Sequence, residues 1–120
     1  MPKKILLIDD EEDLSTVTQT RLIKSGYDTT VVCDSVGALL EIEKNRPDLI
    51  LLDLLLPGMQ GEDLCKKLKA DDRYKTIPII LYTASISDME KVAKDCGADD
   101  FVLKPYDPED LLRKIKKFIG

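Results

Sequence analysis

Leu49-Ile50-Leu51-Leu52-Asp53-Leu54-Leu55-Leu56-Pro57-Gly58 runs from uninterrupted apolar residues into a single acid and then a Pro-Gly turn. Continuous rather than alternating apolarity means burial on both faces, the mark of a strand inside a parallel sheet. Ile5 to Ile8, Ile79 to Tyr82 and Phe101 to Leu103 have the same character, with Thr29 to Cys33 as a weaker fifth strand. Helical stripes lie between and after these runs: Leu14, Val17 and Leu22; Val36, Leu39 and Leu40; Leu64, Cys65 and Leu68; Met89, Val92, Ala93 and Cys96; and Leu111, Leu112, Ile115, Phe118 and Ile119.

Local punctuation supports the boundaries. Gly26 and Gly97 stand where a helix end wants a left-handed residue, and Ser87 with Glu90 forms a capping box. Asp107 followed by Pro108 reads as an N-cap and first helical residue. Five repeats of strand then helix, with right-handed crossovers, predict an α/β domain with helices on both faces of a parallel sheet. A ligand site is expected at the carboxyl ends of the strands, where strand order reverses.

A chain of 120 residues has one-domain length and should bury roughly two-thirds of its unfolded surface, so a single domain over residues 1–120 is expected. A composition 43% hydrophobic and 34% charged excludes a low-complexity chain. The net charge of -5 argues against direct nucleic-acid binding, which draws on clustered Lys and Arg. The apolar runs are far short of the roughly 18 residues of a membrane helix, and no signal-peptide pattern opens the chain, so a cytoplasmic location without membrane contact is expected. Cys33, Cys65 and Cys96 are widely spaced and read as reduced, largely buried thiols. The absence of histidine removes imidazole metal sites, His-based acid/base catalysis and a phosphohistidine role.

The first strand ends in Asp9-Asp10-Glu11-Glu12-Asp13, a run of acids whose mutual repulsion needs compensation. Glu11, Glu12 and Asp13 suit the positive N-terminus of the next helix. Asp9 and Asp10 come earlier, and two hard oxygen donors there suit Mg²⁺. Asp53 closes the third strand; on its own it could simply cap a turn. With the first and third strands adjacent it would meet Asp9 and Asp10, and three carboxylates in one site call for a cation. Thr83 and Lys104 close the fourth and fifth strands at the same edge, adding a hydroxyl and an ammonium suited to an oxyanion. Lys4, Lys66, Lys67, Lys114, Lys116 and Lys117 lack such spacing and read as solvated.

An acidic pair after strand one, Asp after strand three, Thr after strand four and Lys-Pro after strand five, in that order along the whole chain, resemble the receiver domain of two-component response regulators. The resemblance implies a doubly wound five-stranded parallel sheet in the flavodoxin-like order 2-1-3-4-5. It implies Asp53 as phosphoacceptor, a Mg²⁺ site of Asp9, Asp10, Asp53 and the backbone carbonyl of Leu55, and phosphoryl contacts from Thr83 and Lys104. Phe101 matches the switch aromatic, so phosphorylation would draw Thr83 inward and turn Phe101, altering a face of the fourth helix, fifth strand and fifth helix that includes Ser87, Ala93, Val102 and Tyr106. A cis Lys104-Pro105 bond is also implied. The implied donor is a histidine kinase, a histidine phosphotransfer protein or a small phosphodonor; the implied assembly is a monomer or a phosphorylation-dependent dimer. Such a domain is a regulatory phosphoacceptor and not an enzyme acting on other substrates.

A flavodoxin-like cofactor binder would want a Gly, Ser and Thr-rich loop after strand one, where this chain has five acids. The stronger rival is a Mg²⁺-dependent aspartate-nucleophile phosphohydrolase, although its second acid two residues after the nucleophile is here Leu55. An interaction module with a silent pocket is a third alternative. Leu55 and Ser85, each two residues beyond Asp53 and Thr83, should flank the path of an attacking water. Neither suits orienting it, so a long-lived phosphoryl group is expected.

Overall fold

The computed structural model describes residues 2–84 and 88–120. The chain alternates β1 (Lys4–Ile8), α1 (Glu12–Lys24), β2 (Asp28–Val32), α2 (Ser35–Lys44), β3 (Leu49–Leu52), α3 (Gly61–Ala70), β4 (Ile79–Ala84), α4 (Met89–Cys96), β5 (Asp100–Lys104) and α5 (Pro108–Ile119). All pairings are parallel, in the order β2-β1-β3-β4-β5. This is the expected doubly wound sheet, with the strand order turning back at β1 and β3.

The apolar strands split by side-chain parity into two cores. Leu6, Ile8, Ile50, Leu52, Ile79 and Leu81 meet α2, α3 and α4 on one face. Ile5, Leu7, Leu49, Leu51, Ile80 and Tyr82 meet α1 and α5 on the other. Each β3 residue is fully buried, because the strand is central and covered on both sides. Gly26 and Gly97 take positive φ at helix ends, and the Asp107 carboxylate accepts from the Glu109 N–H at the start of α5.

Two helix faces differ from the expected stripes. In α1, Val17 is exposed and the buried positions are Ser15, Thr18 and Leu22. In α2, Val36 and Leu40 face outward while Ser35, Ala38 and Ile42 pack inward. Small side chains let these helices lie close to the sheet, and the buried hydroxyls find partners: Ser35 donates to the Met59 carbonyl, and Thr18 bonds two tyrosines. Ser87 of the expected capping box lies outside the described residues; Asp88 precedes α4 without a side-chain cap. Cys65 and Cys96 are buried as expected, whereas Cys33 is exposed beyond the edge strand β2. Ala93 and Val102 do not belong to an exposed face, because both point inward, into opposite cores. Leu103 is the outward-facing residue there.

Candidate functional site

Backbone register brings the predicted acids together. Ile8 pairs with Leu52, so the next residue on each strand, Asp9 and Asp53, leaves the sheet at the same level. Their N–H groups still donate to Val32 and Ile8, extending the ladder into the pocket and fixing both Cα positions. Both acids are buried, whereas Asp10 is exposed at the mouth. One carboxylate oxygen from each of Asp9, Asp10 and Asp53 lies within 4.8 Å of the others, the one such acidic grouping among the described residues.

Each oxygen of Asp53 is held. Oδ1 accepts from the Thr83 hydroxyl at 3.0 Å and from the Leu55 N–H at 3.1 Å, while Oδ2 accepts from Lys104 Nζ at 2.9 Å. Lys104 Nζ also reaches Asp9 at 3.1 Å and Glu11 at 3.0 Å. Lys104-Pro105 is cis, as expected. The donor set of carboxylates fits a hard divalent cation, and a single ammonium facing Asp9, Glu11 and Asp53 leaves an excess of negative charge for it to offset.

Burial pushes the Asp9 carboxyl up to about 6, although the Glu11 N–H and Lys104 pull against that rise and Asp53 adds to it. Burial draws the Lys104 ammonium down, but its bonds to Asp53, Glu11 and Asp9 outweigh this and hold it above its ordinary value. Glu11 departs from its expected helix-end role. It precedes α1, makes no side-chain cap, and turns its carboxylate to Lys104. Glu12 and Asp13 do occupy the first turn of α1.

Other contributors had little sequence signal. A Cβ on Gly61 would lie 2.3 Å from the Asp53 carbonyl oxygen and 2.6 Å from Leu54 Cα, so only glycine lets α3 start against the acid's backbone. Its place at the head of a helix after Pro57-Gly58 was the available hint. Lys114, expected to be solvated, donates to the Phe101 carbonyl at 2.7 Å, pairs with Asp100 at 3.5 Å and lies over the Phe101 ring. Asp34, unremarked in the sequence, caps α2 through the Gly37 N–H. Leu55 lies at the rim with its side chain largely exposed. Ser85 lies outside the described residues.

Comparison with known proteins agrees with this geometry. A family model described as response regulator receiver domain matches residues 5–116. Sensory transduction protein RegX3 of Mycolicibacterium smegmatis is 42% identical over 113 residues, which are 93% of this chain and 48% of that protein. DNA-binding response regulator MtrA of Mycobacterium leprae is 38% identical over 117 residues, 97% of this chain and 51% of that protein. The chain thus spans about half the length of these curated relatives. Among solved structures, the receiver domain of sensor histidine kinase PA1611 from Pseudomonas aeruginosa superposes with a TM-score of 0.90 at 30% identity, covering 100% of this chain and 99% of that one. It is described with a magnesium ion coordinated in the active site cleft.

Proposed function

This chain belongs to the receiver domains of response regulators in two-component systems, and on that premise we propose that Asp53 accepts a phosphoryl group in a Mg²⁺-dependent reaction. The observation that carries the proposal is the double tethering of Asp53: Oδ1 on Thr83 and Oδ2 on Lys104, beside buried Asp9. A carboxylate that merely capped a turn would not need a strand-end hydroxyl and ammonium from two further strands.

In the proposed reaction an Asp53 oxygen attacks phosphorus, an acyl phosphate bond forms, and the bond to the donor's imidazole nitrogen or acetate oxygen breaks. Lys104 and Thr83, already hydrogen-bonded to the acceptor, are placed to turn their donors onto the transferred oxygens. Asp9, Asp10, Asp53 and the Leu55 carbonyl would hold Mg²⁺, which when bound supplies positive charge to the phosphoryl oxygens. Movement of Thr83 toward the phosphoryl group would free space for Phe101, now half-buried under Lys114, to turn. The readout face would then be Leu103, Pro105 and Tyr106 with the outer side of α4 and α5.

We place residues 1–120 in one receiver unit, cytoplasmic, served by a histidine kinase, a histidine phosphotransfer protein or a small phosphodonor. It would be monomeric or dimerise on phosphorylation. Among the described residues no helix is long and apolar enough to cross a membrane. The output partner is open. A DNA-binding relative about twice this length confines the expectation of no nucleic-acid contact to the acidic residues present here. The phosphohydrolase alternative is not favoured by the family, and the residue two beyond Asp53 is an outward-facing leucine.

The test is intact-mass measurement after incubation with acetyl phosphate and Mg²⁺. One phosphoryl group per chain is expected, with none taken up when Mg²⁺ is chelated beforehand and none in Asp53→Asn. Uptake by Asp53→Asn at the wild-type level would overturn the assignment. Continuous turnover of a phosphate ester would favour the hydrolase.

A further inference from the structure

Beside the acids, Lys104 has a neighbour that the reaction as proposed does not use. Its Nζ lies over the ring of Tyr82, 4.7 Å from the centroid. The register explains the contact. Tyr82 pairs with Val102 and Ala84 with Lys104, so Tyr82 and Lys104 share one face of the sheet as diagonal neighbours. Thr83, the intervening residue, points to the other face and reaches Asp53. Adjacent residues of β4 thus address the pocket from opposite sides, one through Asp53 and one through Lys104.

Tyr82 is fully buried, and an ordinary core position would be filled as well by Leu or Phe. What sets it apart is the treatment of its hydroxyl. Tyr82 Oη lies 2.7 Å from Thr18 Oγ1, itself fully buried on α1, and Thr18 Oγ1 lies 2.6 Å from Tyr106 Oη. The two tyrosine rings pack with centroids 5.5 Å apart. Three hydroxyls in a row satisfy one another inside the α1/α5 layer and fix the plane of the Tyr82 ring. Burial also holds the phenol above its ordinary pKa, so the ring is neutral at neutral pH.

A lysine side chain has a flexible four-carbon stem and no fixed donor direction. An electron-rich ring face on one side and carboxylates on the other confine the ammonium between them. We propose that Tyr82, anchored through Thr18 to Tyr106, is a positioning residue that holds the Lys104 ammonium at the phosphoryl-acceptor pocket. This rests on Lys104 serving phosphoryl transfer, as proposed above. It adds a specific dependence on a side chain that touches neither phosphoryl group nor metal.

The experiment combines a resonance readout with a rate. In the unphosphorylated protein, the ring current of Tyr82 shifts the Lys104 Hε protons upfield of the lysines that face no ring in a carbon-proton correlation spectrum, with Lys114 over Phe101 and Lys117 over Phe118 assigned apart. That shift is lost in Tyr82→Leu and reduced in both Tyr82→Phe and Thr18→Val, each of which keeps the ring but removes one side of the hydroxyl anchor. Phosphoryl uptake from acetyl phosphate slows about three- to tenfold in Tyr82→Leu, with partial recovery in Tyr82→Phe, which restores the ring but not its anchor. Lys104 Hε protons at ordinary lysine positions in the wild-type protein overturn the inference, whatever the variants do. So does unchanged uptake in a folded Tyr82→Leu. If Tyr82→Leu does not fold, an unchanged Lys104 resonance in Thr18→Val overturns the anchoring, and a reduced one supports it. A wild-type protein that takes no phosphoryl group refutes the reading of the site and not the placement, which the Lys104 resonance decides separately.

Discussion

Two lysines, at opposite ends of the sheet, each gather charged and polar oxygens, and they do so with opposite balance. At the amino end, Lys69 of α3 donates to the carbonyls of Lys75 and Ile77 and to the Asp99 carboxylate at 2.7 Å, and that carboxylate accepts from the Ile79 N–H at the head of β4. One cation meets one anion, and neutral carbonyls complete the set. At the carboxyl end, Lys104 faces Asp9, Glu11 and Asp53 with 7% of its side chain exposed. The first cluster is a finished structural tie. The second is charge-imbalanced around a buried ammonium and two buried carboxylates, an arrangement that a cation and a phosphoryl group would complete.

Exchanging the two losses tests this most severely. Lys104→Met should slow phosphoryl uptake about a hundredfold or more, by removing a preorganised donor to the transferred oxygens. Lys69→Met should leave uptake within about twofold while lowering unfolding free energy by about 1–2 kcal/mol, because a carboxylate and two carbonyls lose their donor. Acetyl phosphate kinetics and urea denaturation on both proteins measure the two effects. Equal uptake defects would erase the distinction between the ends.

Glycines extend the comparison. Gly61 abuts the Asp53 backbone, whereas Gly97 ends α4 at φ 82° beside the flexible Lys69 side chain. Gly61→Ala must displace backbone at the acceptor and should lower both stability, by about 2–3 kcal/mol, and uptake. Gly97→Ala should cost about 1–2 kcal/mol from the left-handed backbone, with uptake unchanged. Thermal denaturation alongside the uptake assay separates them.

A smaller effect follows from Asp9. Its carboxyl is raised from 3.8 to about 6, so the folded chain binds this proton more tightly than the unfolded chain. The stabilisation is therefore present at low pH and fades as pH rises through about 6. Without Mg²⁺, this group should make the protein about 1 kcal/mol less stable at pH 7 than at pH 5, and Asp9→Asn should flatten that slope. Mg²⁺ should flatten it in the wild-type protein by stabilising the ionised form. Denaturation at the two pH values, with and without Mg²⁺, gives the slopes. An unchanged slope in Asp9→Asn would mean that other groups set it.

The sequence made the sheet and the acids legible for one reason: both depend on position along a strand. An apolar run buried on two faces ends where the chain leaves the sheet, so Asp9, Asp53, Thr83 and Lys104 could be placed at one edge without knowing any side-chain direction. Helix faces were less legible. Val17 and Leu40 look like core, yet close approach to the sheet selects Thr18 and Ala38 instead. Glu11 was legible as an acid but not as a partner of Lys104, which depends on a side-chain turn. Gly61 and Tyr82 matter through contacts between separate elements, for which the sequence offers no local pattern at Tyr82 and only a helix-head position at Gly61.

The smallest expected effect concerns how long the carboxyl end keeps a phosphoryl group, a question that does not arise at the Lys69 end. Leu55 donates its N–H to Asp53, while 62% of the residue is exposed at the rim. In-line hydrolysis needs a water held opposite the Asp53 oxygen, and an aliphatic side chain gives that water nothing to bond. Asparagine would offer both a donor and an acceptor from the same position. Leu55→Asn should therefore shorten the phosphoryl lifetime by about threefold, followed by intact mass after donor removal in Mg²⁺, while Leu55→Met should leave it near the wild-type value. Adding Ser85→Glu tests the second flank expected from the sequence. A faster decay in Leu55→Met would point to simple shielding, since methionine keeps the apolar character but covers a different volume. Equal decay in all variants would mean that water reaches Asp53 from the Asp10 side of the cleft.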